Sequence, residues 1–195
     1  DSRVSGSVRS GAFRRCRIVR VCCLGRIRRH SKGCSMEVDI FHPLDLVEEI
    51  VAANDWQFER SVADELIAGV SGRWADYSLM FAWRDDLNML QFGCACDLRL
   101  SPERRSAVLE MLSLVNDQMP LGHFGVDVDS NLLVFRHASL MRGLQGATVE
   151  QLEDLVEIAL EECDRFYPAF QYVLWGGKSA SDAVAAALLE PVGRA

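Results

Sequence analysis

Short runs of alternating apolar and polar residues constrain the fold of this chain more than any other feature. Residues 65–83 carry two such runs around a Ser-Gly turn, residues 88–98 carry another, and two more flank the turn-forming Asp-Ser-Asn segment at 129–131. A period of two is typical of strands that bury one face. Because each run is short and adjoins a turn, the pattern predicts antiparallel hairpins.

Segments with helical spacing surround these runs. Capping or breaking residues mark their limits: Pro43 and Asn54 for the first helix, Ser101, Pro102 and Gln118 for the second, Thr148, Gln151 and Pro168 for the third. Pro168 should kink or end that third helix, because proline lacks the amide proton and clashes with the preceding turn. The sequence therefore predicts an α+β domain of order α-β-β-β-α-β-β-α, an antiparallel sheet with helices packed on one face.

The charge of the chain divides it into two parts. Residues 1–35 hold nine Arg and one Lys against Asp1, whereas residues 36–195 hold 11 basic and 27 acidic residues, a net charge of -16. We expect residues 1–35 to be a disordered head, upstream or non-native sequence, with an organellar transit peptide as the alternative. Residues 36–195 are expected to form one domain, and their acidity argues against nucleic acid as a partner.

Cysteine content and hydropathy bear on the compartment. Four of the seven cysteines lie in the head, and the remaining three are Cys94, Cys96 and Cys163. An odd number without a secretion signal predicts reduced thiols and a cytoplasmic protein. Since no stretch approaches 18 apolar residues, we expect no membrane partner.

The stretch GGKS at 176–179 resembles the end of a phosphate-binding loop. That loop requires an earlier glycine, but Tyr172 occupies the position. We expect Gly176 and Gly177 to end one helix and Ser179 with Asp182 to cap the next. The segment is thus predicted to join two helices, and weak anion binding beside Lys178 is the alternative.

Other candidate sites have simpler structural interpretations. Cys94 and Cys96 share one strand face, which is also the apolar face, so we predict core thiols and no metal. The DVDSN stretch at 127–131 lacks the glycine and glutamate that a calcium loop needs, so a hairpin turn is expected. His123 and His137 flank that hairpin without an accompanying nucleophile motif. We therefore predict no catalytic residue and no cofactor.

Trp74 and Met80 are the candidate partner-binding residues. Alternation over residues 73–83 places both on the face opposite Tyr77, Leu79 and Phe81. When both faces of a strand are apolar, each must pack against another part of the protein or against a partner. Trp and Met are enriched in protein interfaces. The alternative is that each is an isolated surface residue.

The order of elements and several sequence stretches together resemble the YbjN-domain family in its alphaproteobacterial form. The resemblance covers residues 36–195 and is carried by these stretches: HPLDLVEEIVAANDWQFER, SGRWADYSLMFAW, CACDLRL, GHFGV, FRHASL and RFYPAFQYVLWGGKSASDAVAAALLEPVG. It implies a fold similar to type III secretion chaperones, often dimeric, in proteins proposed to regulate bacterial sensory transduction. It implies polypeptide binding and supplies no catalytic residue.

These observations favour a non-enzymatic regulatory or chaperone-like module that binds a protein, in bacterial sensory or stress signalling. Its partner is expected to be another protein, itself as a homodimer, or both. The alternative function is a small-molecule sensor or enzyme with a cleft near His123, His137 and Lys178. A ligand bound there would raise the melting temperature of the folded protein.

Overall fold

The computed structural model describes residues 42–61, 64–142 and 147–189. The predicted Arg-rich head, residues 1–35, lies outside these described residues, so the expectations for it stay predictions.

Six antiparallel strands form one sheet in the order β1-β2-β3-β4-β6-β5. The strands are β1 (Gln57–Ser61), β2 (Glu65–Ser71), β3 (Asp76–Arg84), β4 (Met89–Arg99), β5 (His123–Val126) and β6 (Leu132–Leu140). The helices are α1 (Pro43–Ala53), α2 (Arg105–Asn116), α3 (Val149–Leu174) and α4 (Ala180–Leu189). The predicted α+β class with an antiparallel sheet is therefore confirmed.

Compared with the predicted order, the structure has one more strand before α2 and a further helix, α4, after α3. The additional strand is β1, whose sequence QFERS contains a single apolar residue and thus no alternating signal. Its pairing with β2 fixes it in the sheet. Arg60 of β1 also donates hydrogen bonds to Asp45 at 2.7 Å and Glu48 at 2.9 Å, which tie the strand to α1.

Helix boundaries follow the predicted caps with two exceptions. Thr148 and Gln151 form the expected capping box. The helix continues through Pro168 to Leu174, so of the two expectations for Pro168, a kink or an end, the end is wrong and the kink stays a prediction. Burial of Phe170 and Val173 beyond the proline offsets the roughly 3 kcal/mol that an interior proline costs. Ser101 makes no side-chain cap, and a short 3-10 helix at Pro102–Arg104 precedes α2.

The hydrophobic core lies between the helices and one face of the sheet. Phe124 and Phe135 contact each other with ring centroids 5.7 Å apart, and Phe124 also contacts Phe166 and Phe170 of α3. All four rings are buried. This aromatic group joins the β5–β6 hairpin to α3 and anchors that end of the sheet.

The GGKS stretch joins α3 to α4, as predicted. Gly177 has a φ of 64°, a conformation that glycine adopts without steric cost. The Ser179 hydroxyl accepts a hydrogen bond from the Asp182 amide at 3.2 Å and donates one to its carboxylate at 2.7 Å. The Lys178 ammonium lies 4.4 Å from the centroid of the Tyr172 ring.

Candidate functional site

The two faces of the sheet differ in what contacts them. One face, the covered face, carries Leu66, Leu79 and Phe81, which are buried against the helices. The other face, the open face, carries exposed side chains such as Ile67 and Met80, with 46% and 36% of their surface accessible. Among the residues that the structure describes, none covers the open face, which leaves it as the surface of the sheet that a partner could contact.

One line of paired residues crosses the open face through all six strands. Cross-strand register fixes its members because directly paired residues of antiparallel strands point to the same side. This central row consists, from β1 to β5, of Glu59, Ile67, Met80, Gly93, Arg136 and His123. Glu59 thus occupies one end of the row, Arg136 and the His123 imidazole occupy the other, and apolar or small groups occupy its middle.

Small residues dominate the two rows that flank the central row. One flanking row consists of Gln57, Gly69, Ser78, Ala95, Val134 and Gly125. The other consists of Ser61, Glu65, Ala82, Gln91 and Ala138. Few side chains therefore project from the sheet here, and another surface can approach the backbone closely.

Met80 lies across the middle of the open face. A methyl group added to Gly93 would come within 3.0 Å of Met80 Cε and 3.6 Å of Val134 Cγ1, so the absence of a side chain at Gly93 makes room for the methionine. A groove of about 500 Å³ follows this line, with Ile67 and His123 also in its lining. The groove therefore follows the central row of the open face.

The charges of the open face are separated. Glu59 lies on β1 and Glu65 lies on β2. At the other side of the sheet, Arg136 lies on β6 and His123 lies on β5. Arg136 Nη2 donates to Asp127 Oδ1 at 3.0 Å. Hydrogen bonds from Ser130, with a smaller effect of Arg136, lower the pKa of Asp127. One end of the face is thus acidic, and the other presents a guanidinium and an imidazole.

The predicted cleft near His123, His137 and Lys178 forms only in part. His123 pairs with Arg136 on the open face, whereas His137 pairs with Phe92 and thus lies on the opposite side of β6. Burial, with a smaller effect of the charge of His123, lowers the pKa of His137. His123 and His137 nevertheless both border the groove on the sheet, whereas Lys178 is not among its lining residues.

Lys178 lies at the other end of α2. Its neighbour Gly177 adjoins Arg104, just before α2, because an added methyl group there would lie 3.5 Å from the guanidinium. The far end of α2, at Asn116, contacts Phe124, the residue after His123. A helix of 12 residues spans about 18 Å at 1.5 Å per residue.

Trp74 lies outside the strand on which it was predicted. β3 begins at Asp76, so Trp74 belongs to the preceding turn. Its indole Nε1 donates to the Asp164 carbonyl of α3 at 2.9 Å, which places it on the helix side and apart from Met80. The expectation that the two share a strand face is wrong, and partner binding by either stays a prediction.

Asp164 holds this turn against α3. Its Oδ1 accepts hydrogen bonds from the Tyr77 hydroxyl at 2.7 Å and the Arg73 amide at 2.9 Å. Burial, reinforced by the hydrogen bond to Asp164, raises the pKa of Tyr77. The arrangement fixes the β2–β3 turn and leaves Trp74 with a structural contact in addition to its exposed surface.

The predicted core position of Cys94 and Cys96 is confirmed, since both are buried. Cys163 of α3 joins them, with its Sγ 3.6 Å from that of Cys94. Hydrogen bonding to Cys94 and Cys96, followed by burial, raises the pKa of the Cys163 thiol. Within the described residues, the three cysteines are free thiols.

The outer edge of β5 is bonded to a side chain of α2, that of Asn116, which no sequence pattern singled out. Asn116 Nδ2 donates to the Phe124 carbonyl at 3.0 Å, and Asn116 Oδ1 accepts from the Phe124 amide at 2.7 Å. The amide group therefore takes the place of a neighbouring strand. The predicted turn at residues 127–131 connects β5 to β6 and is closed by Asp127 and Ser130.

The fold and the open face define the class: an α+β domain whose described helices pack on one face of a six-stranded antiparallel sheet and leave the opposite face exposed. The family model YbjN, described as "Putative bacterial sensory transduction regulator", matches residues 43–172. The chain belongs to the YbjN family.

The chain is also similar to a solved structure, described as "Crystal structure of YbjN, a putative transcription regulator from E. coli". The identity is 19%, the TM-score is 0.46, and the match covers 69% of this chain and 90% of that chain. No curated protein matches. Among the helices that the structure describes, none combines the length and apolar character needed to cross a bilayer.

Proposed function

We propose that this protein is a non-enzymatic regulatory module that acts by docking a protein onto the open face of its sheet. The observation that carries the proposal is the central row, in which exposed Ile67 and Met80 lie between charged ends. Membership of a family described as a sensory transduction regulator supports a regulatory role. A chaperone-like mode, in which the docked protein is kept in a binding-competent state, is the form we favour.

The shape of the groove fits a protein surface better than it fits a small molecule. The groove is lined by residues of the sheet alone, from Glu65 of β2 to His123 of β5, so a small molecule in it would stay uncovered on the side away from the sheet. Met80 offers a flexible thioether, a side chain that adapts to partner surfaces. A protein surface can cover the whole face and exclude water from its centre.

The charges specify the partner. Its surface needs an apolar or small centre opposite Met80, basic groups opposite Glu59 and Glu65, and acidic groups opposite Arg136 and His123. Such complementarity fixes orientation and speeds association. We place the module in the cytoplasm, where the free thiols of Cys94, Cys96 and Cys163 would stay reduced.

The proposal is tested by capture of bound protein on the full chain after crosslinking in its native cell. Met80→Glu places a charge at the centre of the docking surface, where burial is costly. The matched control is Leu109→Glu on α2, which alters an apolar residue of similar exposure away from the sheet. We expect Met80→Glu to reduce crosslinked product at least tenfold and Leu109→Glu to leave it unchanged. Equal yields from both variants would refute docking on the open face.

A further inference from the structure

We infer that the outer edge of β1 binds an extended segment of another protein, in which basic and apolar residues alternate. The segment adds a strand to the sheet beside β1. This edge is a different surface from the open face, so the inference goes beyond the proposed function and does not depend on it. It rests on the free backbone of β1, on one exposed aromatic side chain and on the charge around the strand.

The two outer edges of the sheet differ in their hydrogen bonding. At β5, the Asn116 amide group bonds both the amide and the carbonyl of Phe124. At β1, the strand Gln57–Ser61 pairs with β2 on one side. Among the residues that the structure describes, none bonds the backbone groups on its other side. A row of unpaired N–H and C=O groups is a template for another strand, so β1 is the edge at which a strand can be added.

Phe58 supplies an apolar contact for such a strand. It pairs with Ala68, which is buried, so the Phe58 side chain lies on the helix side of β1. The ring is nevertheless 38% exposed, since β1 is the outermost strand on this side of the described sheet. An apolar side chain of the added strand would lie beside this ring and remove apolar surface from water.

The segment around β1 is strongly acidic. Residues 45–65 contain seven acidic residues and one basic residue, Arg60, a net charge of -6. Arg60 is already bonded to Asp45 and Glu48 of α1. Glu59 points to the open side and makes no ion pair with any residue that the structure describes. A basic side chain of the added strand on that side would therefore meet an unpaired carboxylate.

Strand geometry converts these contacts into a sequence pattern. Neighbouring side chains of a strand point to opposite faces. In a segment paired with β1, one set of alternate residues lies beside Phe58, and the other set lies beside Glu59. The partner segment therefore alternates apolar and basic residues along the five residues of β1. Because the strand pairs of the described sheet are antiparallel, we assign the antiparallel direction to the added strand as well.

The charge excludes two other occupants of this edge. A second copy of the chain would bring its own β1 with the same acidic surroundings, so carboxylates would meet carboxylates. An acidic segment of another protein is rejected for the same reason. Charged side chains of this kind commonly prevent unwanted pairing at sheet edges. The edge therefore rejects acidic strands and stays open to basic ones.

Synthetic peptides test the inference on the purified full chain. The probe is a fluorescently labelled peptide of about six residues in which Arg and Val alternate, and its control has the same composition with all Arg before all Val. We expect the alternating probe to bind at least tenfold more tightly, because only alternation satisfies Phe58 and Glu59 together. Fluorescence anisotropy measures both dissociation constants. Absence of binding, or equal affinity for probe and control, overturns the inference.

Methylated probes test whether the backbone of β1 carries the binding. Along a strand, the N–H groups of alternate residues point to the same edge. One probe is therefore N-methylated at its Arg residues and a second at its Val residues, with the charge unchanged. One of the two should bind at least tenfold more weakly, because its donors toward β1 are lost, and the other should stay within about threefold of the unmodified probe. Equal affinities of the two methylated probes contradict strand addition.

Variants of the chain locate the bound probe. Glu59→Lys should weaken binding at least fivefold, and Phe58→Ser at least threefold. The matched control is Glu110→Lys, which reverses an exposed charge on α2, the helix that contacts β5 at the opposite edge. It should change the affinity by less than about twofold. Circular dichroism checks folding, and Glu59→Lys decides alone if Phe58→Ser is unfolded. Equal losses in Glu59→Lys and Glu110→Lys place the probe elsewhere and refute the assignment to β1.

Crosslinking mass spectrometry of the full chain tests a competing occupant. Crosslinks between β1 and residues 1–35 of the same chain would assign the edge to that segment and overturn binding of a partner. This inference and the proposed function fail separately, because the capture experiment depends on Met80 and the peptide experiment depends on β1. Probe binding at β1, with equal capture by Met80→Glu and Leu109→Glu, would refute docking on the open face and support the edge.

Discussion

The covered and open faces of the sheet come from the same six strands but differ in composition. Phe81, Phe92 and Phe135 lie on the covered face, with Phe81 and Phe92 only 4.9 Å apart. Neighbouring positions on the open face hold Met80, Gly93 and other small residues, which are glycine, alanine or serine. Because side chains alternate along a strand, adjacent residues serve stability and recognition separately. Mutational effects should therefore alternate along each strand.

The largest contrast is expected between Phe135→Ala and Met80→Ala. Phe135 is fully buried and contacts Phe92 and Phe124, so its truncation should lower the free energy of unfolding by about 3–5 kcal/mol. Met80 is 36% exposed, and its truncation should cost less than about 1 kcal/mol. Urea denaturation at one low protein concentration measures both values.

The m-value is the control for that pair, since an unchanged slope shows that the same surface unfolds in each variant. Similar losses for Phe135→Ala and Met80→Ala would mean that the open face is buried by something in the folded chain. The hypothesis that the covered face provides stability while the open face provides recognition would then be wrong.

A second contrast compares glycines near the end of β2. A methyl group on Gly72 would overlap the Tyr77 ring and press on Asp164. Gly72→Ala should therefore destabilise the protein by about 1–3 kcal/mol, since overpacking displaces the tyrosine from its hydrogen bond. Gly69 has nothing within 4 Å of an added methyl group, so Gly69→Ala should change stability by no more than about 0.5 kcal/mol. Thermal unfolding of both variants measures the two changes in stability. A Gly72→Ala variant as stable as the wild type would contradict the packing of the β2–β3 turn.

The smallest expected effect depends on pH and compares two histidines on opposite faces of the sheet. Burial lowers the pKa of His137, so the folded state favours the neutral imidazole. The contribution of His137 to the free energy of unfolding is complete above about pH 6.5, which is the usual pKa of histidine in an unfolded chain. It is lost as the pH falls through the lower pKa of His137 in the folded state. We expect Tm to fall between pH 7 and 5 by less than about 3 °C through this group.

His137→Gln should remove the fall in Tm between pH 7 and 5. His123→Gln should leave most of that fall in place, because burial lowers the pKa of His137 more than the charge of His123 does. Differential scanning calorimetry across this pH range measures the difference. An identical pH profile for wild type and His137→Gln would show that His137 is not linked to folding.

The covered face could be predicted from sequence because burial imposes a periodic signal. The alternation of Leu66, Ala68 and Val70, and that of Cys94 with Cys96, identifies the core side without knowledge of strand order. Caps such as Thr148 with Gln151 are equally local. Physical rules that act over a few residues therefore gave the class of fold and most of its elements.

The open face could be predicted only in part, because it depends on register between distant strands. Met80 was found from alternation, but its neighbours Glu59 and Arg136 become visible only once six strands are aligned. Trp74 was misplaced because alternation was extended through a turn. β1 was missed because an edge strand with one apolar residue carries almost no periodic signal.

The Asn116 amide that closes β5 has a consequence for how copies of this chain can polymerise. Filaments of sheets grow when both outer edges can accept a strand, since each added copy then presents a new edge. Here the Phe124 amide and carbonyl at one edge are already bonded to a side chain. A strand added beside β5 would have to displace the Asn116 amide from both groups, so growth of a filament by edge pairing is opposed at this end of the sheet.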